Sequence, residues 1–590
     1  MKQLDKKPGD PRTFKQDVSL HWRKRDWLLM LGVTLVYAVV ALTNLGSMKA
    51  PQNPWVSSTR NEQVIIDLGE HHDDVTMLYF CQVSYSNFSV AVSEDGESWS
   101  DDYIADMAEG ECFQWKYLTP SYMGKDKYGN DKRFFYSQPI KFSARYVRIT
   151  SQQIGLKMNE VIFHDANGDR IPATVIAQLN VMEESTLYSD ANNIFDEQDT
   201  LEGLPSWWNS TYFDEIYHAR TAYEHLHGTA PYETSHPPLG KVIMSLGIAI
   251  FGMVPFGWRV MGALAGILML PAMYLLGKQL TKKSSFAFAA ALMLALDCQH
   301  FTQTRIATID SYPVLFILFS WLFMLRFMQR DIVRLPVKNL LPDLALSGLF
   351  MGLGIASKWI GVYSGAGLAV AFFWTIFRHM RMAATSAHLL KTDKSLSDED
   401  RKILTLRDQT TMKRVLVICL WCLLFFVAIP LAIYLLAYIP YFAYVHFDNL
   451  KDYLTAVWNA QLSMFSYHSK PGLGMDHPFY SPWYEWIFNQ RPMYYASPTY
   501  VNTPGWSYAI WCFGNPAIWS AALVGFAYTV FMWTKRHRYT LRKDGETLHW
   551  TAADWDVTMP FLLLSALSQF LPWVLVPRGT YIYHYFATTP

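Results

Sequence analysis

Residues Tyr212–Lys241 read YFDEIYHARTAYEHLHGTAPYETSHPPLGK. The stretch opens on two adjacent carboxylates, Asp214 and Glu215. It closes on a rigid His236-Pro237-Pro238 turn followed by Lys241. Carboxylates in such company either move protons or, more plainly, complement the dipole at the start of a helix. Neighbouring residues on a helix point apart, so Asp214 and Glu215 should have different jobs. Asp214 shares a face with His218, one turn on. The spacing of Tyr212, Ile216, Ala219, Ala222, Tyr223 and Leu226 predicts a helix lying on a membrane surface, capped by Thr211 and ended by Gly228.

Positioning such a helix is the task of the rest of the chain. The 590 residues are 51% hydrophobic and carry no net charge, so no basic or acidic excess points to nucleic acid. The mean hydropathy of +0.06 averages two kinds of segment. Several apolar runs approach the length of a membrane span, and a long polar region separates the first two. The 22 Trp and 34 Tyr suit membrane interfaces. Six cysteines show no metal-ligand spacing. Cys419 and Cys422 fit a CxxC pattern inside an apolar run and read as packing residues. Cys81 and Cys112 in the polar region either pair or stay as buried thiols.

Residues 1–26 form a basic N-terminus, with Arg23, Lys24 and Arg25 before the first span at 27–47. That span reads as a retained anchor, with the N-terminus cytoplasmic by the positive-inside rule. Further spans are expected at Trp258–Leu280, Phe286–Phe301, Ser311–Phe327, Leu340–Ser357, Ile360–Phe377, Val415–Ile439, Ala517–Trp533 and Met559–Leu575. Pro238–Phe256 reads as a helix dipping into the interface. The expected fold is a polytopic α-helical membrane protein of about nine spans. Its catalytic outer loop is 205–257, its bundle 258–439 with a charged cytoplasmic loop at 378–414, its aromatic outer loop 440–511, and its C-terminal helices 512–590. Lys282-Lys283, Arg326, Arg330, Arg334, Lys338 and the basic KRHR at 535–538 fall on the cytoplasmic side. Asp214, Glu215, His236, Lys241, Arg259, Arg305, Asp310, Lys358, His468, Arg491, Arg578 and His584 fall on or near the other face. Ionisable residues at that depth are costly and are functional candidates. Any one of them could snorkel to headgroups instead. An outer cavity holding carboxylates and several cations suits a lipid-linked phosphate.

Residues 52–182 alternate apolar and polar positions in short runs. These are Gln63–Leu68, Phe88–Val92, Arg145–Thr150 and Glu160–His164, split by turn signals at Glu94-Asp95-Gly96 and Asn167-Gly168-Asp169. This predicts an inserted all-β sandwich. Its pieces IDLG (66–69), VSEDGESW (92–99), ARYVRIT (144–150) and NEVIFHDANGDRI (159–171) resemble the discoidin (coagulation factor 5/8 type C) jelly roll. That resemblance implies glycan or surface binding through loops at one end. The alternative is a structural spacer. Tyr103, Trp115 and Tyr117 would stack on sugars or belong to the core.

The chain resembles the protein O-mannosyltransferases (glycosyltransferase family 39, the GT-C class). The resemblance rests on YFDEIYHARTAYE (212–224), HPPLGK (236–241), GWRVMGALAG (257–266), RIATIDSYPVLF (305–316) and GIASKWIGVYSG (354–365). It continues through FSYHSK (465–470), HPFYSPWYEW (477–486), RPMYY (491–495), GNPAIW (514–519), LPW (571–573) and YIYHYF (581–586). It covers the first span and most of 205–590. Two departures are the β insert and the end at Pro590, where the family continues through about two more spans.

The resemblance implies an inverting transfer of mannose from a polyprenyl-phosphate donor to Ser or Thr hydroxyls of proteins, at the extracytoplasmic face of a cell membrane. Asp214 matches the family's base, with Glu215 beside it. Arg259 is expected to hold the donor phosphate, supported by Arg578 and Arg305. His236, Lys241, Asp310, Lys358, His468, Arg491 and His584 would position donor or acceptor. The helix dipole would lower the basicity of Asp214, and desolvation would offset this. The sequence carries no nucleotide-binding fingerprint, no metal is expected, and the lipid-linked sugar is a substrate rather than a cofactor. Expected partners are the donor, acceptor proteins, membrane lipids and a glycan ligand of the insert. The rival readings are a related transferase of the aminoarabinose type and an inactive glycan-binding membrane sensor. The insert is expected to be a tethered binding module, dispensable for transfer to a small peptide.

Overall fold

The computed structural model describes residues 20–82, 87–106, 112–125, 131–136, 138–497, 508–540 and 557–590. The start of the basic N-terminus and residues 498–507 of the aromatic loop therefore lie outside the described residues. Of KRHR at 535–538, the helical backbone is described but not the side chains of 536–538.

Alternating sequence after the first span folds into strands, as its period of two requires. In chain order these are β1 (Trp55–Val56), β2 (Gln63–Cys81), β3 (Asn87–Ser93), β4 (Tyr103–Asp106) and β5 (Trp115–Tyr117). A separate hairpin, β6 (Ser121–Lys125) and β7 (Asp131–Phe135), precedes β8 (Phe142–Ser151), β9 (Lys157–His164), β10 (Arg170–Ile171) and β11 (Thr174–Leu179). The long β2 is the spine. Its first part pairs with β8 and β11, and its last part with β9 and β5. The register shifts between Asp67 and Val75, where β2 passes from one sheet to the other. Val64, Ile66, Met77, Val90, Val147, Ile149, Val161 and Phe163 fill one core between the sheets. All four expected apolar runs lie in strands. The unit also extends beyond residue 182. Ala191 and Ile194 enter its core, and the Glu160 carboxylate accepts from the Glu197 amide at 2.9 Å.

The opposite side of this unit is also apolar. Leu78 and Phe80 of β2, Ile162 of β9 and Trp115 of β5 belong to the same buried cluster as the membrane helices. Tyr103 and Tyr117 pack against the cores as well, so none of the three expected sugar platforms stands free. Cys81 and Cys112 are free, buried thiols.

The helices are α1 (Lys24–Leu42), α2 (Glu215–Leu226), α3 (Leu239–Phe251), α4 (Pro255–Thr281), α5 (Ser284–Ala295), α6 (Cys298–Arg305), α7 (Ser311–Met328) and α8 (Leu341–Ser357). There follow α9 (Ile360–Thr392), α10 (Asp398–Leu423), α11 (Ile429–Tyr441), α12 (Leu450–Ser469), the short α13 (Trp483–Trp486), α14 (Pro516–Thr540) and α15 (Thr558–Phe570). A small ribbon, β12 (Met493–Ala496) with β13 (Ile510–Cys512), lies before α14. Among the described residues, seven segments are long and apolar enough to cross a membrane. These are α1, α4, α7, α9, the α10–α11 rod, α14 and Thr558–Leu575; α3, α5 and α8 are shorter apolar helices. The chain is thus a multi-pass membrane protein.

Three expectations change. The charged segment 378–414 is not a loop: it continues α9 and begins α10, whose first turn is capped by Ser397. Its buried positions are largely polar, among them Arg407, which pairs with Asp331 at 2.5 Å, so its charge serves packing as well as solvation, which a count of Lys and Arg does not reveal. The run Phe286–Phe301 breaks after Ala295, where Asp297 caps α6 through the His300 amide at 3.0 Å. The aromatic loop 440–511 holds a 20-residue helix, α12. Close packing in the bundle depends on glycine. A Cβ at Gly348 of α8 would lie 2.1 Å from the Phe425 carbonyl oxygen of the π-turn between α10 and α11.

The β unit is therefore part of the wall behind α2, not a tethered module. Deleting residues 55–180 through a short linker is expected to abolish activity even on a short peptide and to lower the thermal midpoint of the detergent-solubilised protein. Full activity on a short peptide would restore the module reading.

Candidate active site

The helix α2 is shorter than its periodicity suggested, and most of it is buried within the protein. Thr211 does not cap it; the hydroxyl donates to the Cys112 carbonyl at 3.0 Å. Glu215, His218, Ala219, Thr221, Ala222, Glu224 and His225 are all buried. One side packs on α3, and Phe113 of the β unit stacks near Tyr223, with ring centroids 5.5 Å apart. Gly228 adopts φ 61°, just past the last turn, where a left-handed residue stops a helix.

Glu215 is not at the reacting centre. Its two oxygens receive Arg259 Nε and Nη2, each at 2.7 Å. They also accept from the amide of Ala307 at 2.9 Å and from the Trp258 indole at 3.3 Å. Arg259 spends its other donors on the carbonyls of Leu45, Trp207 and Ser210. Both side chains are almost wholly buried. No donor of Arg259 remains for a phosphate, so the expected donor-binding role fails here. Arg305 is likewise diverted: its Nη2 donates to the carbonyls of Thr43 and Asn44, beyond the end of α1. Arg491 is exposed, pairs with Glu485 at 3.1 Å and lies outside the cavity described below.

The remaining candidates converge. A cavity of about 430 Å³ is lined by His236, Lys358, His468, Arg578, His584 and apolar groups including Trp573. Lys358 sits at the extended break between α8 and α9 and donates to Asp310 at 2.7 Å. Among the described residues Arg578 has no carboxylate partner; its guanidinium lies 5.9 Å from the Tyr467 ring centre. The mouth of the cavity is apolar, with Phe465 and Leu575 63% and 84% exposed. Phe465 ends an exposed stripe of α12 formed by Leu450, Leu454, Trp458 and Leu462. Such a stripe at helical spacing is what a membrane interface covers.

Glu233, which the sequence reading passed over, organises the turn before α3. It ion-pairs with buried Lys241 and accepts from His236 Nδ1 at 3.1 Å. Burial disfavours its charge, but Lys241 and His236 overcome this and hold its carboxyl well below the usual range. Lys241 therefore anchors a loop rather than touching a ligand. Burial pushes the His236 imidazole down to about 3, so the ring is neutral. With its Nδ1 proton on Glu233, it presents an unprotonated Nε2. His468 donates from Nε2 to the Ser235 carbonyl at 2.7 Å and bolts α12 to this turn. His584 accepts the Tyr581 amide at Nδ1 and packs at a tilt against Trp573, with ring centroids 4.5 Å apart. The signal for Glu233 was its place three residues before His236 in the same motif.

Asp214 differs from the other carboxylates. Glu215, Glu233 and Asp310 each hold a cation; Asp214 has no ion pair among the described residues. It stands at the N-cap of α2, but its side chain makes no capping hydrogen bond. Withdrawal from water raises its carboxyl to about 7, with Lys358 and Arg578 opposing and Asp310 and Glu233 reinforcing. A carboxylate with this affinity for a proton is a competent base near neutral pH.

Residues 205–451 match the model of the dolichyl-phosphate-mannose-protein mannosyltransferase family, and residues 453–589 match its C-terminal four-helix transmembrane region. The chain is 25% identical over 421 residues to the polyprenol-phosphate-mannose–protein mannosyltransferase of Mycobacterium tuberculosis, covering 63% of this chain and 76% of that one. The Corynebacterium glutamicum protein of the same name is 26% identical, covering 60% and 67%. The solved Saccharomyces cerevisiae protein O-mannosyltransferase Pmt1-Pmt2 complex bound to its sugar donor aligns with TM-score 0.48 and 11% identity, covering 64% of this chain and 80% of that chain.

The Glu215–Arg259 pair makes a stability prediction. Arg259→Ala should cost about 3–5 kcal/mol, because it strands a buried carboxylate. Replacing both residues by apolar ones, Glu215→Leu with Arg259→Met, should not recover the thermal midpoint, because the Ala307 amide, the Trp258 indole N–H and the carbonyls of Leu45, Trp207 and Ser210 would be left without partners. An Arg259→Ala protein of normal stability that binds donor poorly would return Arg259 to the phosphate.

Proposed function

This chain belongs to the family of dolichyl-phosphate-mannose–protein mannosyltransferases, and we propose that it moves mannose from a polyprenyl-phosphate donor to Ser or Thr hydroxyls of proteins. The observation that carries the mechanism is the isolation of Asp214: one unpaired carboxylate beside a cavity with two cations.

The donor is a phosphodiester with one negative charge, and the departing lipid phosphate gains a second. Arg578 and Lys358 line the cavity and interact more strongly with the product-like charge, which favours the transition state over the ground state. The acceptor oxygen attacks the anomeric carbon as the bond to the phosphate oxygen breaks. The hydroxyl proton passes to Asp214. With Asp214 acting as base, the reaction is a single displacement with inversion, as the family resemblance implies. Neutral His236 offers Nε2 to a sugar hydroxyl, and His584 offers its Nε2 proton. The side-chain cations neutralise the phosphate, so this reading calls for no metal or cofactor. The exposed apolar groups at the cavity mouth suit the polyprenyl tail in the bilayer. By the placement of basic loops, the catalytic end faces away from the cytoplasm.

Asp214→Asn should leave fold and donor binding intact and lower turnover on the order of 10²-fold or more. In the parent protein kcat/KM should fall as pH drops through about 7, because protonation removes the base. Turnover of polyprenyl-phosphate-mannose and a Ser/Thr peptide in membranes, measured across pH, tests both; a flat profile with an active Asn variant would remove Asp214 from the mechanism. Arg578→Ala should raise the donor KM by tenfold or more while the peptide KM stays within a factor of two.

A further inference from the structure

A second cleft of about 510 Å³ opens between the β unit and the aromatic segment near β12. Trp115, Trp207, Tyr212, Phe213, Tyr494 and Tyr508 line it. It shares no lining residue with the donor cavity. Its floor, Phe213, is the residue immediately before Asp214. The Phe213 ring lies 4.4 Å from that of Tyr495 and 6.1 Å from that of Tyr583, which is close enough to Asp214 to feel its charge.

The geometry points to this cleft as the acceptor groove, taking an extended, hydroxyl-bearing polypeptide that the β unit helps to hold. Three observations carry it. Trp115 lines the cleft, is only 3% exposed, and its buried indole N–H has no acceptor among the described residues. A buried donor left unpaired is costly, and a peptide carbonyl would satisfy it. Of the two strands that flank the cleft, β12 is paired along one edge only among the described residues, whereas the outer edge of β5 is already met by Ser210 and Thr211. The open edge of β12 can take an extended chain. Phe213 holds φ 51°, in the left-handed region that a bulky side chain rarely adopts. This strain sits at the junction of cleft and base, where surrounding structure must enforce it.

The chemistry of the two openings is complementary. Lys358 and Arg578 line the donor cavity, whereas among the described residues Lys116 is the only charged one lining the cleft. An uncharged polypeptide fits the second and a phosphate the first. The β unit thereby contributes to acceptor recognition through Gln114, Trp115 and Lys116.

This inference rests on the transferase reading, and its test separates the two. The full-length protein in membranes is given polyprenyl-phosphate-mannose and a synthetic Ser/Thr-rich peptide carrying a benzophenone photoprobe. Trp115→Phe keeps the ring and removes the N–H; it should raise the peptide KM about tenfold with kcat and donor KM within twofold. Gln114→Trp, which narrows the cleft from its rim, should do the same. Photolabelling should fall on residues lining the cleft and fade in Gln114→Trp. Transfer with an unchanged peptide KM in both variants, or labelling elsewhere, overturns the groove. Labelling in the cleft without transfer by the parent protein keeps the groove and overturns the reaction. Neither labelling nor transfer overturns both.

Discussion

The Glu215–Arg259 ion pair is the constraint on which the site depends. Two opposite charges wholly removed from water are tolerable only when every lone pair and proton has a partner. Meeting that demand draws five pieces of chain to one point: the end of α1 through Leu45, the segment 207–210, α2, α4, and the backbone at Ala307. The pair fixes the start of α2, and so fixes where Asp214 stands. It acts on the chemistry through geometry alone.

Around it, carboxylates are sorted by whether they own a cation. Asp310 has Lys358, Glu233 has Lys241, and Glu215 has Arg259. Each pairing removes a base from circulation and adds a strut. Asp214 is left in a site of low polarity with positive charge nearby but not in contact, and its affinity for a proton rises. In the proposed reaction, proton transfer and phosphate stabilisation fall to different groups. Asp214 is suited to the proton, while Arg578 and Lys358 can meet the phosphate without quenching it.

The β unit and the aromatic segment supply walls rather than chemistry. The sheet face bearing Leu78, Phe80 and Trp115 is buried against the helical core, so α2 is packed from two sides. A helix that merely floated at an interface would leave Asp214 free to move by more than catalysis tolerates. The same packing holds Phe213, with its positive φ, in the wall of the second cleft immediately before Asp214.

Much of this was legible in the sequence because it depends on local pattern. Hydropathy located the main apolar helices, period-two alternation located the strands of residues 63–164, and the ordered motifs around Asp214, His236 and Lys358 marked the family and the residues near the cavity. Pairing was not legible. Arg259 and Arg578 look alike in sequence, yet one is saturated by carbonyls and a carboxylate while the other faces the cavity. Glu215 and Asp214 are neighbours, yet a turn of helix sends one to a buried strut and leaves the other as the free carboxylate. Nor could alternation tell a sheet face that meets water from one that meets a helix. Composition and period fix which segments are helix, strand or span. Which cation each carboxylate holds is decided by distances between residues far apart in the chain, and those exist only once the elements have packed.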